Sequence, residues 1–167
     1  MAITQKITSN LWFNSNAEAA VNFYMSVFKN AKIGRRTYYT EEGQEYHKKE
    51  PGTVMTIEFW IEGQEFVALN GGTEFKFNEA ISFIVNCDNQ EEVDYYWDKL
   101  SAGGDPGAQV CGWLKDKFGV SWQVVPTILT DLIMDKDEER ARRATRAMFQ
   151  MKKIDIQALK DAANRKE

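Results

Sequence analysis

Short stretches of alternating apolar and polar residues dominate the first 70 positions, and one stretch has helical spacing instead. Val54–Glu62 (VMTIEFWIE) alternates cleanly, which predicts a half-buried strand. Ala17–Phe28 places apolar residues on one face of an amphipathic helix, and the preceding Asn14–Asn16 supplies helix-capping residues. Further strands are predicted by the same criteria over Lys6–Phe13, Ile33–Thr40 and Glu65–Asn70. The predicted order is therefore strand, helix and three strands.

A similar order begins again near residue 80. Ala80–Asn86 predicts a strand, and Gln90–Leu100 predicts a helix that Asp88 and Asn89 could cap. Two more strands are predicted over 109–114 and 120–125, with a turn between them.

The two halves can be overlaid. A shift of 72 aligns Asn14 with Asn86 and Val21 with Val93, and a shift of 56 aligns Gly63 with Gly119. We therefore predict an α+β fold of two tandem βαβββ modules, residues 1–73 and 74–126, which form one domain because such small repeats bury their apolar faces only together. One irregular α+β sheet is the alternative.

Residues 127–167 differ in character and predict a helical extension. They hold 10 Lys and Arg against 8 Asp and Glu, whereas the first 126 residues hold 11 against 17. Asp135 and Glu138 resemble a capping box that opens a helix to about Met151, and Asp155 would cap a final helix. Four arginines of this extension could suggest nucleic-acid binding, but no aromatic residues interleave them, so we interpret them as a solvated face paired with acidic residues.

Composition narrows the class of protein. The chain has 167 residues, 43% of them hydrophobic and 28% charged, as in soluble globular proteins. No apolar run has the roughly 20 residues that cross a bilayer, and the first ten residues lack the pattern of a secretory signal. We expect a cytoplasmic protein without a membrane partner. The net charge of −4 argues against nucleic acid as the partner.

Few residues are suited to metal binding or covalent catalysis. His47 is the only histidine, and the two cysteines, Cys87 and Cys111, have no C-x-x-C spacing, so we predict neither a disulfide framework nor a zinc site. Cys111 is a weak catalytic candidate, because a nucleophilic thiol needs a nearby base and His47 is the only imidazole available.

Other candidates lie on predicted strands. Trp60, Trp113 and Trp122 could wall a cleft for a planar or apolar ligand. Glu58 alternates with apolar neighbours; it is either on the solvent face or, if that face is the cleft, a weak catalytic base with a raised pKa. Gln123 could hydrogen-bond a ligand or a neighbouring strand.

Several segments, taken together and in order, resemble one family. LWFNSNAEAAVNFY, TIEFWIEGQEFVALNGG, FKFNEAISFIVN, CGWLKDKFGVSWQVVP and MKKIDIQAL are similar to the PhnB-like branch of the vicinal oxygen chelate (glyoxalase/bleomycin-resistance/dioxygenase) superfamily. That branch carries the label 3-demethylubiquinone-9 3-methyltransferase. The resemblance implies two βαβββ modules whose sheets curl around a cleft, and it implies a homodimer.

The resemblance also implies where metal ligands would lie. Metal-dependent members of the superfamily place His, Gln or Glu on the first and fourth strands of each module, at positions that correspond here to Ser9, Val67, Ile81 and Gln123. Only Gln123 is a credible ligand, so we predict no bound metal and no cofactor. These positions and the strand candidates above together give the predicted ligand-binding residues, which are Ser9, Glu58, Trp60, Val67, Trp113 and Gln123.

The methyltransferase label finds little support in the residues. S-adenosylmethionine enzymes usually combine a parallel sheet with a glycine-rich loop that opens a helix, and neither Gly71-Gly72 nor Gly103-Gly104 follows that pattern. Two hypotheses remain. One is a metal-free protein that binds a small organic molecule in an aromatic-lined cleft. The other is an enzyme, such as a lyase, isomerase, dioxygenase or the labelled methyltransferase.

Overall fold

The computed structural model describes residues 5–165, and the chain divides after Phe77 into two compact units. The first unit follows the predicted order, with one additional helical turn inside the loop after the second strand. Its elements are β1 (Ser9–Phe13), α1 (Ala17–Val27), β2 (Ala31–Tyr38), α2 (Gln44–His47), β3 (Val54–Ile61) and β4 (Gln64–Asn70).

A four-stranded sheet in the order β1-β4-β3-β2 forms the first unit. β1 runs parallel to β4, and the other neighbours are antiparallel. One face of this sheet packs against α1, where the Tyr24 ring stacks on Phe59 with 6.0 Å between the ring centroids. Both side chains are fully buried, so this face holds the core of the unit.

A tight turn joins β3 to β4. Glu62 and Gly63 both have positive φ values, 47° and 80°, which is the geometry of a two-residue type I′ hairpin. This turn fixes the register of the two strands, with Ile61 opposite Gln64 and Glu58 opposite Val67. The turn therefore decides which side chains of β3 and β4 share a face.

The second unit contains a three-stranded sheet and the C-terminal helices. β5 runs parallel to β7 in the order β5-β7-β6, and this pairing repeats that of β1 with β4. The elements are β5 (Phe83–Cys87), α3 (Gln90–Ser101), a 3₁₀ turn (Pro106–Ala108), β6 (Trp113–Lys115), β7 (Ser121–Pro126), α4 (Ile128–Ile133), α5 (Glu138–Met148) and α6 (Ile156–Asn164).

The repeat is present, but the predicted shift of 72 is wrong by one to two residues. A shift of 73 superposes the buried helix positions Tyr24 and Val27 on Trp97 and Leu100. The first strands of the two units, β1 and β5, need a shift of 74. In the first unit Phe13 pairs with Asn70, and the equivalent pair in the second unit is Cys87 with Pro126. Since adjacent strand positions face opposite sides, this small error changes which residues are expected in a site.

Within residues 78–165, the described part of the second unit, β2 has no regular counterpart. The predicted strand over 109–114 is interrupted because Cys111 and Gly112 have φ values of 49° and 84°, which no strand residue adopts. Only an isolated bridge between Val110 and Trp113 remains before β6.

A buried carboxylate holds the turn between β6 and β7. Asp116 accepts hydrogen bonds from the backbone N–H groups of Phe118 (2.8 Å) and Val120 (3.1 Å) and from the indole Nε1 of Trp122 (2.9 Å). Hydrogen bonds compensate for the burial of this polar group. Trp122 therefore belongs to the core and does not line a ligand site.

The C-terminal helices confirm one predicted cap and correct another. Asp155 caps α6 by accepting from the N–H of Ala158 at 2.8 Å, and Ile154 and Leu159 are both fully buried, as in a hydrophobic staple. The predicted capping box at Asp135 is wrong. Asp137 is the N-cap of α5, and α4 is an additional helix that the sequence interpretation missed.

This helical extension is part of the second unit. Its helices enclose a core of their own, formed by Leu129, Leu132, Ala144, Ile154, Leu159 and Ala163. Backbone hydrogen bonds connect it to the turn before β6, from the Cys111 N–H to the Met151 carbonyl (2.8 Å) and from the Gly112 N–H to the Lys152 carbonyl (2.7 Å). Whether residues 1–126 form a single domain stays a prediction.

Three of the four arginines of α5 form contacts within the extension. Arg142 pairs with Glu139 at 3.2 Å, Arg140 pairs with Asp135 at 3.0 Å, and Arg143 donates to the carbonyl of Ala163 at 2.9 Å. These contacts agree with the interpretation of a solvated, charge-paired face. In the part of the chain that the structure describes, no helix has the length and apolar character needed to cross a membrane.

Candidate functional site

The face of the first sheet opposite α1, here called the far face, carries three of the six predicted ligand-binding residues, Glu58, Trp60 and Val67. Ile57 and Phe59 of β3 are buried toward α1, and alternate residues of a strand face opposite sides. The half-buried side chains of the far face include Trp12, Thr56, Glu58, Trp60, Glu65, Val67 and Leu69. Aromatic rings, carboxylates and aliphatic groups therefore share one surface.

Glu58 is held by Arg35 of β2. The guanidinium Nε donates to Oε2 at 2.9 Å and Nη2 donates to Oε1 at 2.7 Å. These hydrogen bonds lower the pKa of the Glu58 carboxyl below its usual range, against the smaller opposing effect of desolvation. The expectation of a raised pKa is thus wrong. A carboxylate stabilised in its charged form is a poor general base, and the structure gives Glu58 an ion-pairing role.

Trp60 lies flat over β2. A Cβ atom built at Gly34 would lie only 2.5 Å from Cζ3 of Trp60, so the indole occupies the space that any larger residue at position 34 would need. The Lys32 ammonium lies 4.6 Å from the centroid of the Trp60 ring, within the range of a cation–π interaction. Glu65 of β4 is directly opposite Trp60 in register. These contacts fix the position of the Trp60 indole.

Trp12 covers the glycine pair that follows β4. A Cβ atom at Gly71 would lie 2.2 Å from the Trp12 ring, and the indole Nε1 donates to the Gly72 carbonyl at 3.0 Å. The Phe75 ring meets Trp12 edge-on at 4.9 Å. Close packing against an indole explains Gly71-Gly72, and the pair does not form a cofactor loop.

The register corrects the predicted partnership of Ser9 and Val67. Ser9 pairs with Phe66, whose side chain is buried toward α1, whereas Val67 pairs with Asn10. Ser9 and Val67 therefore face opposite sides of the sheet, and Asn10 takes the place on the far face that the sequence interpretation gave to Ser9.

The second sheet repeats this arrangement with different residues. Ile84 pairs with Gln123, which in turn pairs with Trp113 of β6, so these three side chains share the face away from the buried Trp122 and Val124. Ile81, the predicted position, precedes β5 and is strongly exposed.

Gln123 has a polar partner on its own sheet. Its Nε2 donates to Oγ of Ser82 at 2.9 Å. Two residues earlier, the Ser121 hydroxyl is buried and has no hydrogen-bond partner within residues 5–165. Lys115, opposite Ser121 in register, forms an ion pair with Glu79. The second sheet therefore contributes amide, hydroxyl and charged groups.

The metal site implied by the superfamily does not fit these residues. With the corrected register, the four positions are Asn10, Val67, Ile84 and Gln123. Two of them are aliphatic and cannot ligate an ion, and two are neutral amides, which supply none of the imidazole, thiolate or carboxylate groups that usually dominate a divalent-ion site. Across the described residues, no cluster of three or more His, Cys, Asp or Glu side chains could hold a metal ion.

Neither cysteine forms the nucleophile–base pair considered above. Burial raises the pKa of the Cys87 thiol to about 12. Cys111 is half-buried in a left-handed turn conformation. His47 is hydrogen-bonded inside its own loop, where Nδ1 accepts from the Lys49 N–H at 3.0 Å and Nε2 is 3.2 Å from the Glu42 carbonyl. The His47 imidazole therefore stabilises its own loop through these hydrogen bonds.

A separate groove of about 520 Å³ lies in the second unit between the first turns of α3 and α6. Gln90 bridges its two sides, because its side-chain amide donates to the Ile154 carbonyl (3.0 Å) and accepts from the Ile156 N–H (2.8 Å). Lys153 pairs with Asp94 beside it at 2.8 Å. These contacts attach the extension to α3. The polar residues that line the groove therefore have a structural role.

A comparison with known protein families shows to which family the chain belongs. The sequence pattern of the 3-demethylubiquinone-9 3-methyltransferase family matches residues 5–125. The chain belongs to this family. It is the PhnB-like family of the vicinal oxygen chelate superfamily, as the sequence motifs indicate. No curated protein matches the chain.

Solved structures agree with this assignment. A PhnB protein from Bacillus cereus is 36% identical and covers 74% of this chain and 100% of its own, with a TM-score of 0.61. Protein PA1353 from Pseudomonas aeruginosa is 18% identical, with a TM-score of 0.57 over 74% of this chain and 98% of its own. The fosfomycin resistance protein FosX from Listeria monocytogenes is 17% identical, with a TM-score of 0.50 over 77% and 96%. The last two show the fold alone, which is glyoxalase/bleomycin-resistance-like.

Sequence reasoning missed Arg35 and Gly34. Both lie in β2, whose exposed charged residues are typical of any solvent-facing strand. Their role depends on the register shift between Ile33 and Arg36, which the residue pattern does not predict. The one available signal was a glycine in the middle of a predicted strand, which often marks a bulge or a close approach.

Proposed function

We propose that this PhnB-like protein binds a small organic molecule on the far face of its first sheet, without a bound metal ion. The observation that carries the proposal is the fixed indole of Trp60 beside the Arg35–Glu58 ion pair. Ligand sites typically combine an apolar or aromatic surface with a few oriented polar groups. The far face has this composition, and the other face of the sheet is filled by the core.

The polar groups of the second sheet support the same kind of function. Gln123 and Ser82, which are half-buried, could redirect their mutual hydrogen bond to an organic ligand on this sheet. Trp113 and Gln123 accordingly stay predicted ligand-binding residues, together with Glu58, Trp60 and Val67. We also keep the proposals of a homodimer and a cytoplasmic location, which rest on the sequence interpretation.

A ligand screen tests the proposal. A library of small organic fragments is tested by thermal shift against the wild type, Trp60→Leu and Tyr46→Leu, where Tyr46 is an exposed aromatic residue of the loop before β3. Fragments that stabilise the wild type and the Tyr46 variant but not the Trp60 variant would support the proposal. Fragments that stabilise all three proteins equally would refute it.

The second candidate function is the methyl transfer that gives the family its description. Both sheets contain antiparallel pairs, and Gly71-Gly72 packs against Trp12 and does not open a helix, so the residues present do not fit the usual S-adenosylmethionine site. The test is incubation of the protein with S-adenosylmethionine and a demethylated quinol. Methylated product that depends on the protein would favour this alternative over simple binding.

A further inference from the structure

A β-bulge in β2 directs Arg35 to the far face. Ile33 pairs with Phe59 and Arg36 pairs with Ile57, so the two residues Gly34 and Arg35 lie opposite the single residue Glu58. Without this extra residue, Arg35 would face α1 together with Ile33, because strand side chains alternate. The bulge instead sends adjacent arginines to opposite faces. Arg36 approaches Glu18 of α1 at 4.0 Å, and Arg35 binds Glu58.

The guanidinium is the outer member of the Arg35–Glu58 pair. The Arg35 side chain is 85% exposed, whereas that of Glu58 is 21% exposed. The pair occupies Nε and Nη2 of Arg35, and within residues 5–165 no hydrogen bond reaches Nη1. A molecule that approaches this part of the far face therefore meets guanidinium N–H donors before it meets the carboxylate.

Two further features favour an anion with a planar body. The fixed Trp60 indole neighbours Glu58 on the same face of β3, and Lys32 adds a second cation beside the ring. Glu58 is ionised and engaged by its two hydrogen bonds to Arg35, whereas Glu65, opposite Trp60, is a second carboxylate whose charge an incoming anion must avoid. Guanidinium groups bind carboxylates through paired hydrogen bonds, and indole faces bind planar rings.

We propose that the far face recognises a planar organic anion, with the carboxylate or a similar oxyanion on the outer N–H groups of Arg35 and the ring against Trp60. This inference rests on the proposed function, since it names the ligand class of the same surface. It assigns specificity to Arg35, and it explains why the bulge and Gly34 occur where they do.

The test uses two probes that differ in charge, 4-hydroxybenzoate and 4-hydroxybenzamide. Each is titrated into ¹⁵N-labelled full-length protein, and the Kd is taken from the shift of the Trp60 indole N–H signal. The variants are Arg35→Gln and the matched control Arg36→Gln, which removes the same charge from the neighbouring residue on the opposite face. We expect the acid to bind the wild type more tightly than the amide, and Arg35→Gln to weaken acid binding about fivefold or more.

The controls separate this inference from the proposed function. Arg36→Gln should leave the preference for the acid intact, and amide binding should change little in either variant. If acid and amide bind equally, or if both arginine variants reduce acid binding equally, the inference is overturned and the proposed function stands. If neither probe shifts the Trp60 signal and no fragment requires Trp60, both fail.

Discussion

Arg35 holds Glu58 through two hydrogen bonds that run in parallel, Nε to Oε2 and Nη2 to Oε1, at 2.9 and 2.7 Å. The two residues are on neighbouring strands, and only the bulge at Gly34–Arg35 brings them to the same face. An isolated carboxylate on a sheet could act as a base. In this pair the Glu58 carboxylate instead orients the Arg35 guanidinium. The surface is therefore suited to anion recognition and not to proton abstraction.

The ion pair predicts a pH-dependent contribution to stability. The pKa of Glu58 is lower in the folded protein than its ordinary value, so the stabilisation is fully present above the unfolded-state pKa of about 4.3 and is lost as pH falls through the folded-state pKa. We expect Glu58→Gln to unfold at a lower temperature than the wild type at about pH 7, and the two proteins to converge well below about pH 4.

Thermal unfolding across this pH range measures the effect, with Glu45→Gln, an exposed residue of α2, as the control. The control should follow the wild type at every pH. A difference between Glu58→Gln and the wild type that persists unchanged into strong acid would contradict the assignment.

Gly34→Ala should displace the Trp60 indole. The new Cβ would lie 2.5 Å from the ring, so the indole must move, and we expect a cost of about 1–3 kcal/mol in the free energy of unfolding. The Trp60 indole N–H signal and denaturant unfolding measure the two effects. The control is Gly52→Ala, which strains a positive φ of 86° but meets no atom within 4 Å. It should leave the Trp60 signal in place, and an unmoved signal in Gly34→Ala would disprove the packing argument.

Asp116→Asn should destabilise the second unit. The substitution removes the charge from a buried group that accepts three hydrogen bonds and turns an N–H donor toward one of its donors. We expect a loss of about 1.5–3 kcal/mol in the free energy of unfolding, measured by urea denaturation. Asp105→Asn, at an exposed turn where Asp105 accepts from the Gly107 N–H, should change stability much less. Equal losses in the free energy of unfolding for the two variants would show that the buried hydrogen bonds of Asp116 stabilise the protein no more than the exposed one of Asp105.

The two cysteines should differ in reactivity. Cys87 is fully buried and its pKa is raised to about 12, so little reactive thiolate forms at neutral pH. Cys111 is half-buried. Titration with a thiol reagent near pH 8 should label no more than Cys111 in native protein, and Cys87 only after unfolding. Rapid labelling of native Cys111→Ser would contradict the burial of Cys87.

Much of the fold could be predicted because its signals are local. The alternation of Val54–Glu62 gives β3, and the turn at Glu62 and Gly63 is evident from its glycine and its position between two apolar runs. The C-terminal cap at Asp155 was also recognisable, since its staple partners Ile154 and Leu159 are placed at fixed offsets along one helix. Element order followed from the same patterns, whereas membership of the PhnB-like family was indicated by the resemblance of whole sequence segments to that family.

The candidate site was less predictable because it depends on register and on irregular backbone. A displacement of one residue put Ser9 on the far face in place of Asn10, and a displacement of three residues put Ile81 in the place of Ile84. The break at Cys111 and Gly112 removed a predicted strand. Arg35 was missed because simple alternation assigns it to the wrong face, and only the pairing of β2 with β3 reveals the bulge.

Chemical-shift mapping tests the central claim most directly. Wild-type protein labelled with ¹⁵N is titrated with the most stabilising fragment of the screen, and the shifted backbone and indole signals are placed on the structure. A shift pattern centred on Trp60, with Val67 and Arg35 around it, is the result that ligand binding to the far face predicts. Shifts confined to the groove between α3 and α6, or to the loops, with the Trp60 indole unmoved at saturation, would contradict it.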